Sequence, residues 1–140
     1  MRIACHHAAP IAIVVTAGTS SCGAIDPIST CIDIAKEFNS WCHIDAAWGG
    51  ALMLSSAHHH PLTGIAQADS LCIDPHKALG QPKPCSLLLY KQPLANTLGV
   101  EVDYLTQIPK QTIGGSYGGE LFLPLWCSLI LSGTQSFSDQ

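Results

Sequence analysis

The chain reads as an α/β fold, a mostly parallel sheet with flanking helices, on three observations. Short unbroken runs of apolar and β-branched residues recur along it, the length of buried strands. A stretch of helical periodicity separates the first run from the second. The runs end in small or polar loops, giving the order β-α-β-α-β-loop-β.

The first strand is Ile11-Ala12-Ile13-Val14-Val15, whose continuous hydrophobicity predicts burial on both faces. It runs into Thr16-Ala17-Gly18-Thr19-Ser20-Ser21, a polar loop at its carboxyl end. Asp26-Pro27 predicts a helix start, with Asp26 as cap and Pro27 in the first helical position. Ile28, Cys31, Ile32 and Ala35 then recur at spacings of three and four and form an apolar stripe, with Lys36 and Glu37 off it. Asn39-Ser40 ends the helix, and Trp41-Cys42-His43-Ile44-Asp45 is the second strand.

Gly49-Gly50 opens a short helical stretch to about Leu54, followed by a loop holding His58-His59-His60-Pro61. Ser70-Leu71-Cys72-Ile73-Asp74 is the third strand and leads into Pro75-His76-Lys77. After Gly80-Gln81-Pro82-Lys83-Pro84 comes a fourth, Ser86-Leu87-Leu88-Leu89-Tyr90. The last apolar segment, Leu121 to Leu131, predicts a helix with Pro124 near its first turn.

Composition narrows the function. Of the 140 residues, 47% are hydrophobic and only 11% charged, against roughly a quarter charged in an average domain. So sparse a set of surface charges implies that other protein covers part of this one. Arg2 is the sole arginine beside five lysines, and no basic stripe exists to bind nucleic acid. No apolar run approaches the roughly 20 residues that span a bilayer, and no signal peptide is evident, so no membrane partner is expected. Seven cysteines, odd in number and without Cys-x-x-Cys spacing, suit buried reduced thiols of a cytoplasmic protein.

Ligands of parallel sheets bind beyond the carboxyl ends of the strands. Ser20, Asp45 and Lys77 all fall at such ends and are expected to share one site. A lysine flanked by apolar strands tends towards a lowered pKa, hence a neutral amine able to form a Schiff base. Pyridoxal phosphate requires such an amine for its aldehyde and an Asp for its ring nitrogen. On residue types and spacing alone, an Asp45–Lys77 salt bridge is the simpler alternative.

His43-Ile44-Asp45-Ala46-Ala47-Trp48-Gly49-Gly50, followed downstream by Asp74-Pro75-His76-Lys77, resembles the signature of the group II pyridoxal-phosphate-dependent amino-acid decarboxylases. These include glutamate, cysteine-sulfinate, diaminobutyrate and aromatic-L-amino-acid decarboxylases. The likeness also runs through Val15-Thr16-Ala17-Gly18-Thr19, Asp26-Pro27, Gly64-Ile65, Ala68-Asp69-Ser70 and Cys85-Ser86. The resemblance implies a fold-type-I (aspartate-aminotransferase-like) large domain, with residues 1–140 a partial one, its N-terminal half and the C-terminal small domain absent. It implies pyridoxal 5'-phosphate as cofactor and a small amino acid as substrate, with loss of carbon dioxide.

Residue by residue, it implies that Lys77 carries the cofactor as a Schiff base, Asp45 pairs with the pyridinium nitrogen, and Ala47 packs on one ring face. His76 would lie beside the cofactor near its phosphate. Ser20 would stand near the ring hydroxyl or the substrate carboxylate. Asp74, where the family often has Asn, would be near the phosphate and would repel it unless turned away or hydrogen-bonded. The resemblance further implies a homodimer in full-length relatives, or here a partner chain supplying the missing half. Two alternatives stand beside a decarboxylase: a catalytically inactive remnant serving as a cofactor-binding or interaction fragment, and another fold-type-I lyase.

Three features depart from these roles or lie outside them. The arginine that the family commonly carries before the Leu125-Trp126 helix is replaced by Ser116-Tyr117-Gly118-Gly119-Glu120. The run Gly114-Gly115-Ser116-Tyr117-Gly118-Gly119 reads as a flexible loop or, less simply, a phosphate cradle. His58-His59-His60 and His6-His7 read as exposed loop residues, so no metal site is predicted, and His43 reads equally as structural or catalytic.

Overall fold

The computed structural model describes residues 1–91 and 118–133. Among the described residues there are three α-helices, α1 (Arg2–His7), α2 (Ile28–Glu37) and α3 (Leu123–Ser132), and four strands, β1 (Ala12–Thr16), β2 (Trp41–Asp45), β3 (Ser70–Ile73) and β4 (Leu87–Tyr90). Short 3-10 helices occupy Gly49–Leu54, His60–Leu62, Ile65–Gln67 and Gly119–Leu121. The four strands form one sheet in the order β1-β2-β3-β4. The first three are parallel and β4 returns antiparallel to β3. None of the described helices is long and apolar enough to cross a membrane.

The side of the sheet that faces α2 is the core. Ile13 and Val15 of β1 and Cys42 and Ile44 of β2 pack with Ile28, Cys31, Ile32 and Ala35, the stripe read from the sequence. Ile44 is wholly buried, and covering such a side chain contributes about 1.5–3 kcal/mol. Helix α2 ends at Glu37, Asn39 with a left-handed φ of 51° turns the chain towards β2, and the Ser40 amide closes the end by donating to the Ala35 carbonyl.

Three expectations require correction. Asp26 does not cap α2. Its Oδ2 accepts the Thr16 amide at 2.8 Å, because residues 24–26 turn back along the end of β1, as the Ala17–Ile25 bridge records. Pro27 takes the cap position and the helix starts at Ile28. Secondly, β1 is not buried on both faces, since Val14 is 64% exposed. Its register partners His43 and Ser70 lie on this open face, as does Leu88, which is 57% exposed. Thirdly, α1 was not expected. It buries Cys5, and its Arg2 donates to Glu37 at 2.8 Å.

The other boundaries fall close to the predicted ones, and Pro124 lies in the first turn of α3 as expected. Residues 114–117 of the glycine-rich run lie outside the described residues. Gly118 precedes the 3-10 turn that leads into α3.

Ile44→Ala removes three carbons from the centre of the core and is expected to cost about 2–5 kcal/mol. Chemical unfolding of the two proteins checks this. A loss below about 0.5 kcal/mol would mean that the β2–α2 contact is not the core.

Candidate active site

The parallel register places Thr16, Asp45 and Cys72 in one row across β1, β2 and β3. Beyond that row the chain after β2 is held tightly. The Gly49 amide donates to the Ala17 carbonyl at 3.0 Å and the Gly50 amide to the Ala46 carbonyl at 2.8 Å. A side chain at position 49 would collide with the Ala17 carbonyl, and one at position 50 would lie 2.9 Å from Ile73. Ala46 is completely buried. The word Asp-Ala-Ala-Trp-Gly-Gly therefore has a packing cause: small residues let the loop after β2 lie against the ends of both neighbouring strands.

Ala47 is the junction of this loop with the next. Its amide donates to Asp45 Oδ1 at 3.1 Å, and its carbonyl accepts the Asp74 amide, also at 3.1 Å. After Asp74 the chain turns at once, the Lys77 amide donating to the Asp74 carbonyl at 2.8 Å. Pro75 is fully buried beneath this turn. Lys77 Nζ meets Asp74 Oδ2 at 2.9 Å.

The charges at the site follow from these contacts. Burial pushes the Asp74 carboxyl up, but hydrogen bonds from Ser86 and Lys77, with the charges of Lys77 and His76, outweigh it and hold the group below the usual carboxylate range. Lys77 is raised above its ordinary value, first by its hydrogen bond to Asp74 and, in spite of some desolvation, by the charges of Asp74, Asp45 and Cys72. The Cys72 thiol is raised by burial and then by the charge and hydrogen bond of Asp45. His76 Nδ1 lies 2.6 Å from the Cys85 carbonyl and 3.3 Å from the Cys85 amide. One hydrogen cannot serve both contacts, and the shorter one has Nδ1 donating to the Cys85 carbonyl, so Nε2 is the ring nitrogen not used on Cys85.

Asp45, Ala47, Asp74, His76 and Lys77 are thus brought to adjoining loops at the carboxyl ends of β2 and β3. Two expectations about them are corrected. The salt-bridge partner of Lys77 is Asp74, not Asp45. The lysine is also not lowered in pKa, because it stands on an open surface beside a carboxylate rather than between apolar walls. Ser20 sits apart: it is exposed in the turn after β1 and makes no hydrogen bond to the other candidates among the described residues. A cavity of about 120 Å3 lies nearby, lined by Gly18 and Gly23 on either side of that turn, by Trp48 and Gly49, and by Ala78 next to Lys77.

Two neighbours of the site were not singled out from the sequence. Cys72 donates its thiol proton to Asp45 Oδ1 across 3.5 Å, and the period-two geometry of β3 beside Asp45 was the signal for it. Ser86 bonds Asp74, and the Cys85-Ser86 word of the resemblance was its trace. Arg2 of α1 is engaged with Glu37 of α2 and adds no cation here. All seven cysteines are unbridged, with Cys22 the exposed one, and among the described residues no group of histidine, cysteine or acidic side chains could hold a metal ion.

A carboxylate and an amine on adjoining strand ends, with a small residue between them, suit the ring nitrogen, aldehyde and ring face of pyridoxal phosphate. Comparison with known proteins gives the family. The chain belongs to the pyridoxal-dependent decarboxylase family, whose conserved domain matches residues 3–139. It is 36% identical to the glutamate decarboxylase of Drosophila melanogaster over 143 residues, 94% of this chain and 28% of that protein. The structure of mouse CSAD superposes with a TM-score of 0.82 at 30% identity, over 98% of this chain and 31% of that one. Catharanthus roseus tryptophan decarboxylase, solved in complex with L-tryptophan, gives a TM-score of 0.77 at 33% identity, over 91% and 27%. The fold is therefore that of the fold-type-I enzymes, and the chain spans less than a third of the length of these relatives.

The Asp74 contacts have a pH signature. A carboxyl held below its unfolded value stabilises the fold fully above about pH 4, and the contribution is lost as the pH falls through the depressed folded value. Carbon-13 NMR titration is expected to show Asp74 titrating below the ordinary range, and moving back up in both Ser86→Ala and Lys77→Met. An unchanged titration in both variants would contradict the hydrogen-bond account.

Proposed function

We propose that this chain is the cofactor-bearing segment of a pyridoxal-phosphate-dependent amino-acid carboxy-lyase. The observation that carries the reading is the placement of Asp45 and Lys77 on adjoining strand ends, tied through the Ala47–Asp74 hydrogen bond. Family membership and relatives described as glutamate decarboxylase and tryptophan decarboxylase support it. The chain would form part of the large cofactor-binding domain, with the first half of that domain and the small domain outside it.

Lys77 is the residue that would hold the cofactor through its aldehyde. To serve, its amine must leave Asp74 and give up a proton, so the salt bridge marks a resting arrangement. Asp45 would hold the ring nitrogen and keep its proton, Ala47 would leave room for one ring face, and His76 would contribute its Nε2 near the phosphate. Asp74 would keep its hydrogen bond from Ser86 when Lys77 leaves it, which repels a phosphate less than a bare carboxylate would. Ser20 completes the set from the turn after β1, near the ring hydroxyl or the substrate carboxylate. Pyridoxal phosphate held there supplies an electron sink, so that an amino acid loses carbon dioxide and leaves as the amine.

The uncovered sheet face bearing Val14 and Leu88 favours a second reading for the isolated chain: a cofactor-binding or interaction fragment that turns over only once other protein covers it. That cover is a homodimer partner together with the rest of the domain, or a separate chain supplying the missing half. A cytoplasmic location is part of this reading, and the seven free thiols are compatible with it.

Adding pyridoxal phosphate to the whole chain, reducing with borohydride and mapping the peptides tests the reading. Near-stoichiometric labelling at Lys77 is expected, absent in Lys77→Ala and weaker in Asp45→Ala. Labelling spread over all five lysines, or none, would refute it for this chain.

A further inference from the structure

Asp45 must present one oxygen to the cofactor, and its other contacts decide which. The carboxylate sits at the end of β2, in register with Cys72 of β3. Side chains of register partners on parallel strands leave the same face of the sheet, so the Cys72 thiol and the Asp45 carboxylate stand side by side there. Oδ1 accepts two hydrogen bonds, from the Ala47 amide at 3.1 Å and from Cys72 Sγ at 3.5 Å. Oδ2 has no hydrogen-bond donor among the described residues. The amide alone would leave the carboxylate free to rock about its own bond. A second donor on the neighbouring strand fixes the plane of the group.

We propose that Cys72 is the positioning residue of Asp45: its thiol proton, with the Ala47 amide, holds Oδ1 and leaves Oδ2 as the oxygen that meets the protonated ring nitrogen. This inference rests on the cofactor reading above and goes beyond it, because it assigns the two oxygens of Asp45 different tasks and gives the second one a keeper. The thiol suits the part. Burial and the Asp45 charge both keep it protonated, so it is a donor throughout the neutral range, and it is bulky enough to bridge the gap between strands. A thiol is a weak donor, and the contact is accordingly a steering one.

Two measurements on the whole chain test it, and only one needs the cofactor. In the first, iodoacetamide alkylates the free protein and peptide mapping follows each cysteine separately. Asp45→Asn removes the charge that keeps the thiol protonated, so Cys72 is expected to react several-fold faster in that variant while the exposed Cys22 is unchanged. Equal Cys72 rates in the two proteins would overturn the contact.

The second compares pyridoxal phosphate affinity, and the pyridine nitrogen-15 shift of labelled cofactor, in Cys72→Val and Cys72→Ser. Valine keeps the volume and loses the donor. It is expected to bind roughly two- to tenfold more weakly, the worth of one hydrogen bond, with the nitrogen signal moved towards the unprotonated form. Serine, which keeps a donor, is expected to restore both. Valine and serine variants that match the wild type in affinity and nitrogen shift would refute the positioning role. Failure of the wild-type chain itself to bind would count against the cofactor reading, and the alkylation comparison would still decide whether the thiol holds Asp45.

Discussion

The hydrogen bond from the Asp74 amide to the Ala47 carbonyl joins the two loops on which the site stands. One loop leaves β2 after Asp45 and the other leaves β3 before Lys77. Parallel pairing brings the strand ends level, but level strand ends can still carry loops that diverge. The Ala47 peptide prevents this by using both of its polar groups at once, its amide on Asp45 and its carbonyl on Asp74. A buried backbone group left unpaired costs about 1–3 kcal/mol, so the two loops hold one another in place. The tight glycines serve the same end. Gly49 and Gly50 bring the loop close enough to β1 and β3 for the Ala47 peptide to reach both partners.

The energetic burden of the fold lies on one side of the sheet. Helix α2 closes the face that carries Ile13, Val15, Cys42 and Ile44, and the hydrophobic stabilisation of the described part is concentrated there. The opposite face carries Val14 and Leu88 in the open together with a short polar chain, in which Trp41 Nε1 donates to Ser70 Oγ at 2.8 Å and Ser70 Oγ lies 2.8 Å from His43 Nδ1. Tryptophan can only donate, so the serine hydroxyl is free to pass its own proton to the histidine. Asp45 and Cys72 belong to this same face. Chemistry and uncovered surface therefore coincide, which is why the proposed reaction calls for more protein than the described residues supply.

Much of this was legible in the sequence because the signals were local. An unbroken apolar run gives a strand whatever surrounds it, and the stripe Ile28, Cys31, Ile32, Ala35 gives a helix face by spacing alone. Asp45 and Lys77 were legible because a charged residue at the end of an apolar run needs a reason. What escaped depended on contacts between distant segments. Asp26 has the chemistry of a cap, and only the return of residues 24–26 along β1 diverts it to Thr16. The direction of the Lys77 shift turned on whether Asp74 or apolar surface lay beside the amine, and periodicity does not tell which. The two-sided burial expected of β1 presupposed a second helical layer, which the described residues do not provide. Cys72 reads as one more apolar strand residue until the register with Asp45 is known.

Hydrogen–deuterium exchange with and without pyridoxal phosphate tests the central claim, that the loops after β2 and β3 form one site. The amides of residues 45–50 and 74–80 are expected to slow together on addition of the cofactor, with α1 unchanged and the effect lost in Lys77→Ala. Slowing of one loop without the other, or the same slowing in Lys77→Ala, would contradict it.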